Sequence, residues 1–89
     1  MAKAEISWRR KTEEGEKLQV YARHERNAWK FFSRHKRFDT WEPMESPTLE
    51  DWLALLDGIE RRVARRLIRP EAVTRCKSLI RERFPEADI

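Results

Sequence analysis

Five arginines, Arg61, Arg62, Arg65, Arg66 and Arg69, fall between positions 61 and 69, a stretch that contains no acid. A planar guanidinium makes bidentate contacts with phosphate and is more weakly hydrated than an ammonium, so the run points to an anionic, phosphate-bearing partner. On a helix turning about 100° per residue, Arg62, Arg65 and Arg69 lie opposite the side holding Leu56, Ile59 and Val63. No acid stands at i+4 within that stripe, and Asp57 and Glu60 lie nearer its apolar edge. The plainer reading is a solvated face that keeps an aromatic-rich chain in solution.

A second basic stretch runs from Arg23 to Arg37, with Arg23, Arg26, Lys30, Arg34, Lys36 and Arg37 against the single acid Glu25. Aromatic residues interleave with these cations, from Trp29, Phe31 and Phe32 to Phe38 and Trp41. Exposed aromatics flanked by Lys and Arg stack and steer single-stranded nucleic acid. The competing reading places Trp29, Phe31 and Phe32 in a core, with Trp41 capping its edge. The candidate nucleic-acid contacts are therefore Arg61, Arg62, Arg65, Arg66 and Arg69 together with Lys30, Arg34, Lys36 and Arg37.

Residues for other chemistry do not assemble. A zinc site needs about four ligands at characteristic spacings, and Cys76, His24 and His35 form no paired motif. Cys76 lies on an apolar stripe between Val73 and Ile80, which makes it a core thiol without chemistry. Asp39 and Glu42 resemble an acid–base pair no more than any two of the other acids do. Gly15 and Gly58 stand too far apart to make a phosphate loop. The aromatic signature of RRM domains, a GXXG loop and zinc-finger spacing are also missing. The reading is a non-enzymatic module with no catalytic, metal or cofactor site.

The elements that must position these cations belong to a chain of 89 residues, room for one small core, read as a single domain over 1–89 with frayed ends at 1–4 and 86–89. Charged residues make up 40%, a level that by itself suggests disorder, yet four Trp, four Phe and one Tyr supply enough burial area to hold a small domain. Twenty Lys and Arg stand against sixteen Asp and Glu, a net charge of +4 whose importance lies in its segregation. One cysteine cannot form an intrachain disulfide, so a reducing, cytoplasmic setting is expected. No apolar run has the length of a signal peptide or of a membrane span.

Punctuation divides the chain near Pro43 to Pro47. Beyond it, Thr48 with Asp51 reads as a capping box. Leu49, Trp52, Leu56, Ile59, Val63 and Leu67 then recur at helical spacing, predicting a helix over 48–68 that Pro70 ends. Pro70 also suits the first turn of a second helix over 70–84, with Ala72, Val73, Cys76, Leu79 and Ile80 on its apolar stripe and Pro85 as its stop. Two such helices form a hairpin that cannot bury both stripes alone, so the first half is expected to cover it.

That first half reads in two ways. As strands, Ile6 and Trp8 alternate with Ser7 and Arg9, Leu18, Val20 and Ala22 with Gln19, Tyr21 and Arg23, and Trp29 and Phe31 with Lys30 and Phe32. Turn signals fall at Glu14-Gly15 and across the polar His24 to Asn27. As a helix, Leu18, Tyr21, Ala22, Ala28, Trp29 and Phe32 share a face, leaving 17–38 open between the two. The favoured fold is α+β, a three-stranded antiparallel meander over 5–34 packed on the helix hairpin, with a short extended piece around Trp41 to Met44. The alternative is an all-α three-helix domain. Two partner classes follow: nucleic acid, RNA or DNA, bound through phosphates, or an acidic protein or a second copy of the chain bound through aromatic and Arg anchors. No membrane partner is expected.

Overall fold

A computed structural model describes residues 5–26, 28–36 and 39–89. The chain forms two compact units, Met1–Pro47 and Thr48–Ile89, divided where the Pro43 to Pro47 punctuation places the boundary. The first is a sheet of four antiparallel strands in the order β1-β2-β3-β4: β1 (Glu5–Lys11), β2 (Lys17–Glu25), β3 (Ala28–Arg34) and β4 (Glu42–Met44). The meander of three strands is thus extended by the short piece near Met44, and the all-α alternative is excluded. Pro43 lacks a donor, and its place on an edge strand avoids the cost of a broken ladder.

The turns explain the register. Between β1 and β2, Thr12 donates its amide to Glu16 O at 2.8 Å, Gly15 donates to Thr12 O at 2.9 Å, and Gly15 sits at φ +84°, where a side chain is costly. Lys11 then faces Lys17, and the ladder runs back to Glu5 opposite Arg23. Strand β2 continues through His24 to Glu25 rather than breaking at His24, because Glu25 pairs with Ala28 and only two residues remain for the turn. Arg26 takes φ +47°, as a primed two-residue hairpin turn requires.

Alternation separates the sheet's faces. Ile6, Leu18, Val20, Ala22 and Phe31 share one face and are buried. Trp8 and Trp29 lie on the same side, with Trp8 edge-on to Phe31 at 5.9 Å and Trp29 tilted against His24 at 4.9 Å. Trp29 and Phe32 therefore do not act together, since their spacing of three residues along β3 points them to opposite faces.

The second unit holds α1 (Leu49–Ala64) and α2 (Glu71–Arg83). Thr48 caps α1 as its sequence predicts: Asp51 N donates to Thr48 Oγ1 at 3.2 Å and Thr48 N donates to Asp51 Oδ2 at 3.3 Å. Trp52, Leu55, Leu56 and Ile59 are buried, and the helix passes through Gly58 unbroken.

Helix α1 ends at Ala64, four residues before the predicted limit. Arg66 N donates to Val63 O at 2.9 Å and Leu67 N to Arg62 O at 2.8 Å, the two bonds of a Schellman closure, with Arg66 at φ +60°. Leu67, counted on the apolar stripe by its spacing, is 69% exposed. Pro70 and its restricted neighbour Arg69 require the chain to reverse within a few residues, and that requirement overrides the periodicity. A left-handed arginine carries a steric cost that glycine does not, so Arg66→Gly is expected to raise the unfolding free energy by about 0.5–1 kcal/mol, measured by denaturant titration. A destabilised variant would show that the Arg66 side chain contributes more than its backbone costs.

In α2, Cys76 and Ile80 are buried. The tail expected to fray is tied at two points, since Ala87 N donates to Phe84 O at 2.9 Å and Arg81 donates through Nε and Nη2 to Ile89 O at 3.3 and 2.9 Å. The predicted frayed segment 1–4 lies outside the described residues. No helix among the described residues is long and apolar enough to cross a membrane.

Candidate nucleic-acid interface

The early end of α1 dismantles the single Arg stripe. Arg61 and Arg62 occupy the last helical turn, Arg65 is the cap, Arg66 is the left-handed residue and Arg69 lies in the connection to α2. Arg61 also has the acidic partner that the stripe seemed to lack, with Nη2 3.1 Å from Asp57 Oδ2. Arg62 Nη1 reaches Gly58 O at 3.5 Å. Cations in the last turn complement the negative end of the helix dipole, which gives this run a local role in α1.

The other predicted contacts separate as well. Lys36 is exposed, in a turn where its amide donates to Asp39 Oδ2 at 3.1 Å. Arg37 lies outside the described residues. Lys30 and Arg34, however, project from β3 to the same side of the sheet as Phe32.

That side, opposite the buried one, is organised in rungs by the strand register. Lys11 faces Lys17; Arg9, Gln19 and Arg34 follow; then Ser7, Tyr21, Phe32 and Pro43; then Glu5, Arg23 and Lys30; and finally Glu25 with Ala28. Six cations and two carboxylates thus surround an aromatic rung. Tyr21 stacks on Phe32 with ring centroids 4.9 Å apart and planes 22° apart, and Trp41 meets Tyr21 edge-on at 4.7 Å. Trp41 was expected to cap a core edge; instead it joins this open face. All three rings are half-buried.

Guanidinium groups flank the rings. Arg34 lies over Trp41 at 4.3 Å from its centroid while its Nε donates to Gln19 Oε1 at 2.7 Å, and Arg23 lies over Phe32 at 5.4 Å. Each such contact contributes on the order of 0.5–1 kcal/mol where it is exposed, and together they fix the arginines in place. Glu25 pairs with both Arg23, at 3.5 Å, and Lys30, at 3.3 Å. Its charge compensates one end of the face, whereas the rungs of Arg9, Gln19 and Arg34 and of Lys11 and Lys17 carry no carboxylate.

The sequence reading missed Tyr21, Arg9, Lys11, Lys17 and Arg23 as members of one surface. The signal was present in the polar side of each alternation, with Gln19, Tyr21 and Arg23 on β2 and Ser7, Arg9 and Lys11 on β1. Reading it required the hairpin register through Gly15.

The structure also describes residues considered for other chemistry. Burial, with Glu60 adding to it, pushes the Cys76 thiol up to about 11, so it remains protonated and unreactive near neutrality. Among the described residues no group of three His, Cys, Asp or Glu side chains is placed to hold a metal ion. Comparisons with protein-family models, with curated proteins and with solved structures find no match to this chain.

Proposed function

We propose that this chain is a non-enzymatic module that binds single-stranded nucleic acid on the open face of its sheet. The observation that carries the reading is the register that sets Tyr21, Phe32 and Trp41 in one patch, with Arg9, Arg23, Lys30 and Arg34 on the adjoining rungs. Single-stranded bases expose their flat faces, and both aromatic rings and guanidinium planes are stacking surfaces for them. The flanking cations supply the sequence-independent attraction for the phosphates.

The geometry supports the sheet over the arginine run as the carrier of this function. Arg61 to Arg69 wrap around a helix end and a tight turn, whereas the sheet holds its cations on one face of a ladder whose rungs are about 6.8 Å apart and which an extended strand can follow.

Salt dependence tests the proposal. Affinity for an oligothymidylate or oligouridylate is expected to fall with salt at a slope of about −0.7 in log–log form for each phosphate contacted. Replacing Arg9 and Arg34 by Gln is expected to flatten that slope by about 1.4, whereas Arg62→Gln/Arg65→Gln/Arg69→Gln leaves it nearly unchanged. A slope that responds only to the second set of substitutions would return the function to the α1 terminus. Absence of binding to either oligonucleotide in low salt would rule out the proposed function.

A further inference from the structure

The open face has a polarity that the proposed function does not by itself require. Its Glu25 end is charge-compensated, whereas the rung of Lys11 and Lys17 at the other end holds no carboxylate. At that end lies a groove of about 420 Å³ lined by Arg9, Arg10, Lys11, Lys17, Gln19 and His35 together with Leu18. Three of them, Arg9, Lys11 and Lys17, are permanent cations on the open face, whereas Arg10 pairs with Leu18 on the opposite side of the ladder, and no acid is among the lining residues. Glu16 stands 3.5 Å from His35 and is not among the residues that line it.

Two features mark the groove as built for an anion rather than merely basic. Lys11 and Lys17 are direct cross-strand partners, an arrangement of like charges that destabilises a ladder. The groove also shares Arg9 and Gln19 with a second groove of about 360 Å³, lined further by Ser7, Trp8, Val20, Arg34 and Trp41. A groove with Trp41 in its wall thus adjoins a groove with three open-face cations, as a base adjoins a phosphate.

Resting on the nucleic-acid reading, we infer that the groove of Arg9, Lys11 and Lys17 receives the terminal phosphomonoester of the bound strand, whose end base lies against Trp41. An internal phosphodiester carries one negative charge, whereas a terminal phosphomonoester carries close to two and three unesterified oxygens. Three cations at one site fit the second better than the first. The ladder ends at Lys11 and Lys17, so the strand's end reaches the groove while its interior continues over Tyr21 and Phe32.

The test compares three oligothymidylates of one length, bearing a 5′-phosphate, a 3′-phosphate or hydroxyls at both ends, titrated against the full chain by fluorescence anisotropy. One phosphorylated form is expected to bind about tenfold more tightly than the hydroxyl form, and which form does so identifies the end that is held. In Lys11→Gln/Lys17→Gln that ratio is expected to fall to about one; far-UV circular dichroism verifies that the variant is folded. Equal binding of all three oligonucleotides overturns the terminal-phosphate inference and leaves the sheet-face reading standing. Failure of all three to bind overturns both. A ratio that persists in the folded double variant removes the groove from the recognition.

Discussion

Trp52→Ala is expected to lower the unfolding free energy by about 3–5 kcal/mol, the largest stability effect of any single substitution considered for this chain. Trp52 is 2% exposed on the buried side of α1, beside Leu55, Leu56 and Ile59, and the Arg83 guanidinium of α2 lies 5.0 Å from its ring centroid. Removing the indole leaves a cavity and takes away the surface on which Arg83 rests. A chain of this length has a total stability of roughly 0.05–0.15 kcal/mol per residue, so the loss is a large fraction of the whole. The helical signal in far-UV circular dichroism is expected to melt at much lower denaturant in this variant. Trp52→Phe, which retains an apolar ring, is expected to recover much of the difference. A cooperative transition at the wild-type midpoint in Trp52→Ala would contradict the packing of the α1–α2 unit.

The second large effect concerns affinity. Replacing both Tyr21 and Phe32 by Thr introduces β-branched side chains suited to a strand and removes the stacked pair. Base stacking on an aromatic ring contributes about 1–3 kcal/mol per base, so two rings correspond to a loss between about 30-fold and about 10⁴-fold. The loss is expected at every salt concentration, displacing the line of log K against log salt without changing its slope. This separates stacking from the charge effect of Arg9→Gln/Arg34→Gln, which changes the slope itself. Tyr21→Phe keeps the ring and is expected to keep the affinity. Full affinity in a folded Tyr21→Thr/Phe32→Thr variant would remove the aromatic rung from the mechanism.

The features legible in the sequence were those decided locally. Thr48 and Asp51 satisfy one another across three residues, so the start of α1 was visible without any tertiary context. Alternation set Val20 with Ala22 on one side of β2 and Trp29 with Phe31 on one side of β3, and Gly15 marked a turn because its φ of +84° suits a residue without a side chain. Cys76 was correctly placed in the α2 core from its position between Val73 and Ile80.

The end of α1 was decided by competition. The spacing of Val63 and Leu67 and the arginines around them continues the helical pattern without interruption, and nothing in their types announces that Arg66 will adopt φ +60°. Arginine is a good helix former, so propensity and periodicity agreed on an incorrect boundary. The five arginines therefore looked like one surface when they are a helix end, a cap and a connection.

The sequence by itself determined which residues would be cationic, aromatic or buried within each strand and helix, because periodicity is a property of neighbouring residues on one segment. Only the tertiary structure decided which of them meet. Tyr21 and Phe32 are 4.9 Å apart because β2 and β3 pair in one register, and a slip of one residue would send one of the rings to the opposite face. Arg34 of β3 reaches Gln19 of β2 and Trp41 of the segment before β4, and Lys11 meets Lys17 only when the Thr12 to Glu16 turn closes. Contacts between segments depend on register and turn geometry, which are collective properties of the folded chain, and so the candidate surface emerged only once the strands were paired.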